Sequence, residues 1–110
     1  MLNQIILVGR LTSDPEINEV EGKKNSVITL AVPRSFKNAD GEYETDFIKC
    51  VLWNGIAENT AEYCKKGDVV GVKGRIQTNT IEKEDGTKEF EMNIIAEKVT
   101  FLSSKSKEND

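Results

Sequence analysis

Residues 45–53 read Thr-Asp-Phe-Ile-Lys-Cys-Val-Leu-Trp. Successive side chains on a β-strand point to opposite sides, so this run places Ile48, Cys50 and Leu52 on one face and Phe47, Lys49, Val51 and Trp53 on the other. The first set supplies a core wall. The second joins two aromatic rings to a cation, and the core does not need it, because the opposite face is already apolar. A strand of this kind must sit in a sheet with one side packed, and it leaves Phe47 and Trp53 as surface platforms.

The remaining segments supply that sheet. Asn3 to Leu11 is apolar and β-branched without helical periodicity, and it stops at the turn formers Thr12, Ser13, Asp14 and Pro15. A polar loop through Glu21, Gly22, Lys23 and Lys24 leads to a second strand from Ser26 to Ser35, built on Val27, Ile28, Leu30 and Val32, with Arg34 and Phe36 at its exit. Asp40-Gly41 signals a tight turn, which makes the second and third strands a hairpin. Ile56, Ala57, Thr60, Ala61 and Cys64 recur at spacings of three and four, predicting a short amphipathic helix between Ile56 and Lys66 that Gly67 ends. The fourth strand runs from Asp68 towards Ile81, with Val70, Val72, Gly74 and Ile76 inward and Lys73, Arg75, Gln77, Asn79 and Ile81 outward. Asp85-Gly86 turns the chain into the fifth, Lys88 to Leu102.

Three strands, one short helix and two strands is the order of the OB-fold, an all-β five-stranded Greek-key barrel whose strand faces and loops bind oligonucleotides or oligosaccharides. At 110 residues the chain has room for one such domain, read as residues 1–102, followed by a short tail, 103–110, expected to be disordered. Tyr43, Tyr63, Phe90 and Phe101 are read as packing residues.

Composition narrows the function. There is no histidine, which removes the commonest general base, the commonest transition-metal ligand and every Ser-His or Cys-His nucleophile. No Gly-rich phosphate loop or metal-ligand spacing takes its place, so neither catalysis nor a cofactor is expected. The N-terminal apolar run is too short to span a bilayer and has no signal-peptide cleavage pattern; a cytoplasmic protein is expected, with Cys50 and Cys64 as free buried thiols. Net charge is −4, which opposes nucleic-acid binding unless cations gather locally.

The segments NQIILVGRLTSDPE (3–16), VITLAVPRSF (27–36), TDFIKCVLWNGIAENTAEYCKKGDVVGVKGRIQT (45–78) and EDGTKEF (84–90) together resemble the bacterial single-stranded DNA-binding protein family, over Asn3 to about Leu102. The resemblance implies that unpaired bases stack on Phe36, Phe47 and Trp53, and it places Ile81 where the family often has tryptophan. Each such stack contributes about 1–3 kcal/mol whatever the base. The candidate phosphate ligands are Arg10, Arg34, Lys37, Lys49, Lys73 and Arg75, while Lys65 and Lys66 are assigned to the helix dipole. Where family members often carry Arg or Lys, this chain has Asn18, Gln77 and Asn79.

The resemblance also implies a homotetramer in which first strands pair across a dimer interface. It does not extend to the acidic tip closed by Pro-Phe through which family members recruit replication and repair enzymes, since the chain here reads KSKEND. The competing reading is an OB-fold accessory or assembly factor, such as a primosome component, acting through protein contacts; the acidic net charge favours it slightly.

Overall fold

The structure, a computed structural model, describes residues 1–103. The tail expected to be disordered lies, from residue 104 onward, outside the described residues. The elements are β1 (Ile5–Leu11), β2 (Asn18–Val20), β3 (Lys23–Lys37), β4 (Tyr43–Trp53), α1 (Asn54–Tyr63), β5 (Val69–Glu82) and β6 (Lys88–Phe101). The sheet order is β1-β5-β6-β4-β3-β2, and a further β1–β3 pairing closes five of the strands into a barrel. All neighbours are antiparallel except β4 and β6, which meet in parallel at Cys50–Ile94 and Val51–Ile95. This is the OB-fold expected from the order of the elements.

One short strand was not anticipated. Residues 18–20 pair with Lys23–Asn25 as a hairpin, turning through Glu21 and Gly22 at positive φ. Three exposed polar and apolar residues carry no periodicity, so this strand leaves no signature in sequence. Two expectations about α1 are corrected. The helix starts at Asn54 and ends at Tyr63, two residues earlier and three residues earlier than predicted. Gly67 does not stop it: Cys64 is the C-cap, and Gly67, at φ 92°, belongs to the next turn, where Asp68 N–H donates to the Lys65 carbonyl at 3.0 Å and Gly67 N–H to Leu11 at 2.9 Å. Ala57 and Thr60 are the buried residues of the helix.

The barrel interior is Leu11, Ile28, Leu30, Cys50, Leu52, Val70, Val72 and Ala96, capped by Ala57 and Cys64. The predicted inward sets of β3, β4 and β5 supply most of it. Ile76 is an exception: it keeps the inward register but is exposed, because β5 and β6 continue past the barrel as a two-stranded arm. Neither cysteine forms a disulfide. Burial pushes the Cys50 thiol up to about 11, which suppresses the reactive thiolate at neutral pH. No described helix is long and apolar enough to cross a membrane.

Two glycines decide the curvature. A Cβ on Gly9 would lie 2.7 Å from the Ala31 carbonyl oxygen and 2.9 Å from Val32 Cγ2, so β1 can approach β3 only without a side chain there. A Cβ on Gly74 would run into the backbone carbonyl of Ile95, beside the register shift between Lys73 and Gly74. Gly71, by contrast, meets nothing nearer than Leu102 Cδ1 at 3.6 Å. Gly74→Ala is therefore expected to destabilise the fold by about 1–3 kcal/mol in urea unfolding, while Gly71→Ala is neutral or stabilising by a few tenths; equal effects would disprove this account of the bend.

Candidate nucleic-acid interface

Directly opposed residues on neighbouring strands share a face, so the strand register assembles the outer surface row by row. Ala31 is opposite Phe47 on β4 and opposite Arg10 on β1. The row Arg10–Ala31–Phe47 thus places Arg10 two strands from Phe47 on the outer surface, with Ala31 between them. Lys49 follows opposite Thr29. The next row is Val27–Val51–Ile95–Arg75, crossing β3, β4, β6 and β5. Trp53 ends β4 opposite Asn25, which is in turn opposite Asn18. Phe47 is 67% exposed and Trp53 36%, while Ile48 is half-buried and Cys50 and Leu52 are buried behind them. The two faces read from residues 45–53 are the two faces observed.

The other expected site residues are placed as follows. Lys37 is opposite Tyr43, with its Nζ 5.7 Å from the centre of the tyrosine ring. Arg10 donates to the Gly67 carbonyl at 2.9 Å, which orients it without neutralising it. Arg75 joins the face but has Glu97 at 3.9 Å. Lys73 lies farther round the barrel between Ile6 and Lys98. Ile81 is exposed on the β5–β6 arm, opposite Glu89. Phe36 is 63% exposed, at a register irregularity between Pro33 and Lys37, and alternation with Lys37 keeps it out of the Tyr43–Phe47 row.

Arg34 is not brought to this face. Its guanidinium forks onto Asp46, with Nη2 to Oδ1 at 2.9 Å and Nε to both oxygens at 3.2 Å, and Nη1 donates to Glu44 at 3.1 Å. The Arg34 guanidinium holds the Asp46 carboxyl below the usual carboxylate range. Asn38 donates to Glu44 at 3.1 Å and accepts the N–H groups of Asp40 and Glu42 at 2.9 and 3.0 Å. Glu44 and Asp46 alternate with Tyr43, Thr45 and Phe47, so this network braces the back of the β3–β4 arm whose front carries the rings.

Charge is distributed unevenly. Along the β4 face the side chains are Tyr43, Thr45, Phe47, Lys49, Val51 and Trp53, with no carboxylate among them. On β6, Glu89 and Glu91 share the outer face with Asn93 and Ile95; Glu89 pairs with Lys83 at 2.8 Å and Glu91 accepts from Asn93 at 2.8 Å. Among the described residues no group of His, Cys, Asp and Glu could hold a metal.

Two aromatics read as packing residues are corrected. Tyr43 is 59% exposed and Phe90 largely exposed, because both lie on arms that project beyond the barrel and have no opposite layer. Tyr63 packs against Phe101 with ring centroids 6.2 Å apart, and Phe101 packs on the core. Tyr43 stands two alternations before Phe47 on β4, so the period-two pattern of the strand, extended back to its first residue, carries the signal for its face.

If Arg34 braces the arm, Arg34→Gln should raise amide exchange from Arg34 to Asp46 while leaving Val70, Val72 and Leu52 as protected as before. Exchange rates unchanged in the arm would assign Arg34 another role.

The sequence profile of the "Single-strand binding protein family" matches residues 2–102. The chain is 50% identical over 109 residues to "Single-stranded DNA-binding protein B" of Bacillus subtilis, covering 98% of this chain and 96% of that one. It is 50% identical over 106 residues to "Single-stranded DNA-binding protein 3" of Listeria innocua and 48% identical over 107 residues to "Single-stranded DNA-binding protein A" of Bacillus subtilis. The matched part spans 66% and 62% of those two relatives. A profile match across nearly all of the described residues, on an OB-fold with an exposed aromatic face, shows that the chain belongs to the single-strand binding protein family.

Proposed function

We propose that this protein binds single-stranded DNA without regard to sequence, by stacking bases on Phe47 and Trp53 along β4, with Phe36 at the margin of the β3–β4 arm and Ile81 as a weaker apolar contact. The observation that carries the reading is the exposed β4 face, where Phe47, Lys49 and Trp53 stand over a wall that is already packed. Every base has a π-face, so stacking holds DNA of any sequence. Arg10, Lys37, Lys49 and Arg75 are the cations near enough to serve phosphates, Lys73 lies beyond them, and Arg34 serves the arm.

The protein acts as a binder, not an enzyme, and shields unpaired DNA during replication, recombination or repair. An assembly role through protein contacts is the second reading; the acidic β6 edge and net charge of −4 favour it. Homo-oligomerisation through β1 is supported by its open edge: Ile5 to Gly9 pair with β5 alone, β3 reaching only Arg10 and Leu11. Ile6 and Val8 are exposed beside that edge, and pairing would cover it. The proposed setting is the cytoplasm.

Trp53 is the single tryptophan, so titration with oligo-dT reads the site directly. A stacked base quenches its emission. Duplex of equal length should bind far more weakly, and the salt slope should be no steeper than roughly −3, about −0.7 for each of four phosphates. Unquenched emission, or equal affinity for duplex with a steep slope, would replace stacking by a charged patch.

Trp53→Ala and Phe47→Ala should each weaken single-strand binding by about 1–3 kcal/mol and leave the urea midpoint close to wild type. Unfolding of either variant would show that its ring belongs to the core.

A further inference from the structure

The outer face of β4 does not end at Phe47. Tyr43 is four residues earlier on the same strand, and an even spacing keeps it on the same side. At about 3.4 Å per residue it stands roughly 14 Å from Phe47, and Phe47 roughly 20 Å from Trp53. The ring is exposed although it is paired across the ladder, just beyond the register shift between Pro33 and Lys37.

What distinguishes Tyr43 from an exposed tyrosine in general is its rung partner. Lys37 is directly opposite, and its ammonium lies 5.7 Å from the ring centre, within range of a cation–π contact. The ammonium lies over one face of the ring, which leaves the other face for a base, and the two groups together are the pairing that a nucleotide requires, one for the base and one for its phosphate. The nearest carboxylates do not oppose it: Glu44 points to the other face, held by Arg34 and Asn38. Glu42 is at the turn, its N–H bound to Asn38 Oδ1. The brace behind the arm fixes Tyr43 in line with Phe47.

We propose that Tyr43 and Lys37 form a further nucleotide subsite for single-stranded DNA, extending the track that one domain holds from Trp53 and Phe47 out along the β3–β4 arm. The inference rests on the base-stacking reading of β4. Tyr43 stacks a base and Lys37 meets the adjoining phosphate. The hydroxyl is not needed, so phenylalanine should serve equally well. The subsite is filled only by strands long enough to pass Phe47.

The test measures affinity for a series of oligo-dT lengths with wild type, Tyr43→Ala, Tyr43→Phe and Lys37→Gln, following Trp53 emission at fixed salt. For long strands Tyr43→Ala is expected to weaken binding at least five-fold, the lower end of one base stack. Tyr43→Phe should match wild type, and Lys37→Gln should reduce the salt slope by about 0.7. For the shortest strands that already quench Trp53 fully, all variants should bind alike.

Wild-type affinity of Tyr43→Ala at every length, with Trp53 still quenched, overturns the subsite and leaves the β4 reading intact. An equal loss at every length also overturns it, since Tyr43 would then act by shaping the arm. Absence of Trp53 quenching in the wild type defeats the underlying reading itself.

Discussion

Barrel closure depends on how β1 divides itself between two neighbours. From Ile5 to Arg10 it pairs with β5, and at Arg10 and Leu11 it also reaches β3. A single strand can serve both only by bending, and it can bend there because Gly9 presents no Cβ to the Ala31 carbonyl. Once β1 is shared, the inward faces of β3, β4 and β5 enclose one apolar interior. The same junction puts Arg10 in the row of Ala31 and Phe47, so the interaction that closes the barrel also fixes which cation shares that row. It leaves the other edge of Ile5 to Gly9 open.

An acidic protein that binds a polyanion needs its carboxylates kept apart from the binding face. Asp46 and Glu44 are turned to the back of the arm, where they share the Arg34 guanidinium. Glu58, on α1, is paired with Lys24 at 2.9 Å. Screening over about 8 Å at physiological salt then weakens the loop charges at the distance of the β4 face. Glu91 is the exception, on the outer face of β6 with the Asn93 amide as its partner, and it weakens the β5 side of the surface, where Ile81 stands instead of an aromatic. The proposed binding face is accordingly centred on β4 and β3.

The residues that sequence placed well were those governed by local alternation. Ile48, Cys50 and Leu52 are inside or half-buried, and Phe47, Lys49 and Trp53 outside, because one strand passes between one core and solvent. The misplacements share another cause. Tyr43 and Phe90 look like core aromatics until the strands are seen to outrun the barrel, and Ile76 keeps an inward register with little left to face. Arg34 looked like a phosphate ligand because its charge is visible in sequence and its partners Glu44 and Asp46, across a hairpin, are not. Gly67 fitted a helix cap, but the helix had already ended at Tyr63.

Period-two patterning and the two Asp-Gly turns determined the strands, the hairpins and the two faces of β4, since each depends on residues a few positions apart and on the geometry of a pleated chain. Membership of the family was also legible, carried by motifs that span most of the chain. Tertiary structure alone decided which outward residues share a row: Arg10 with Phe47, Arg75 with Val51, Lys37 with Tyr43. Those pairings depend on register between strands distant in sequence, and register is chosen by the packing of the whole barrel, which no single segment contains.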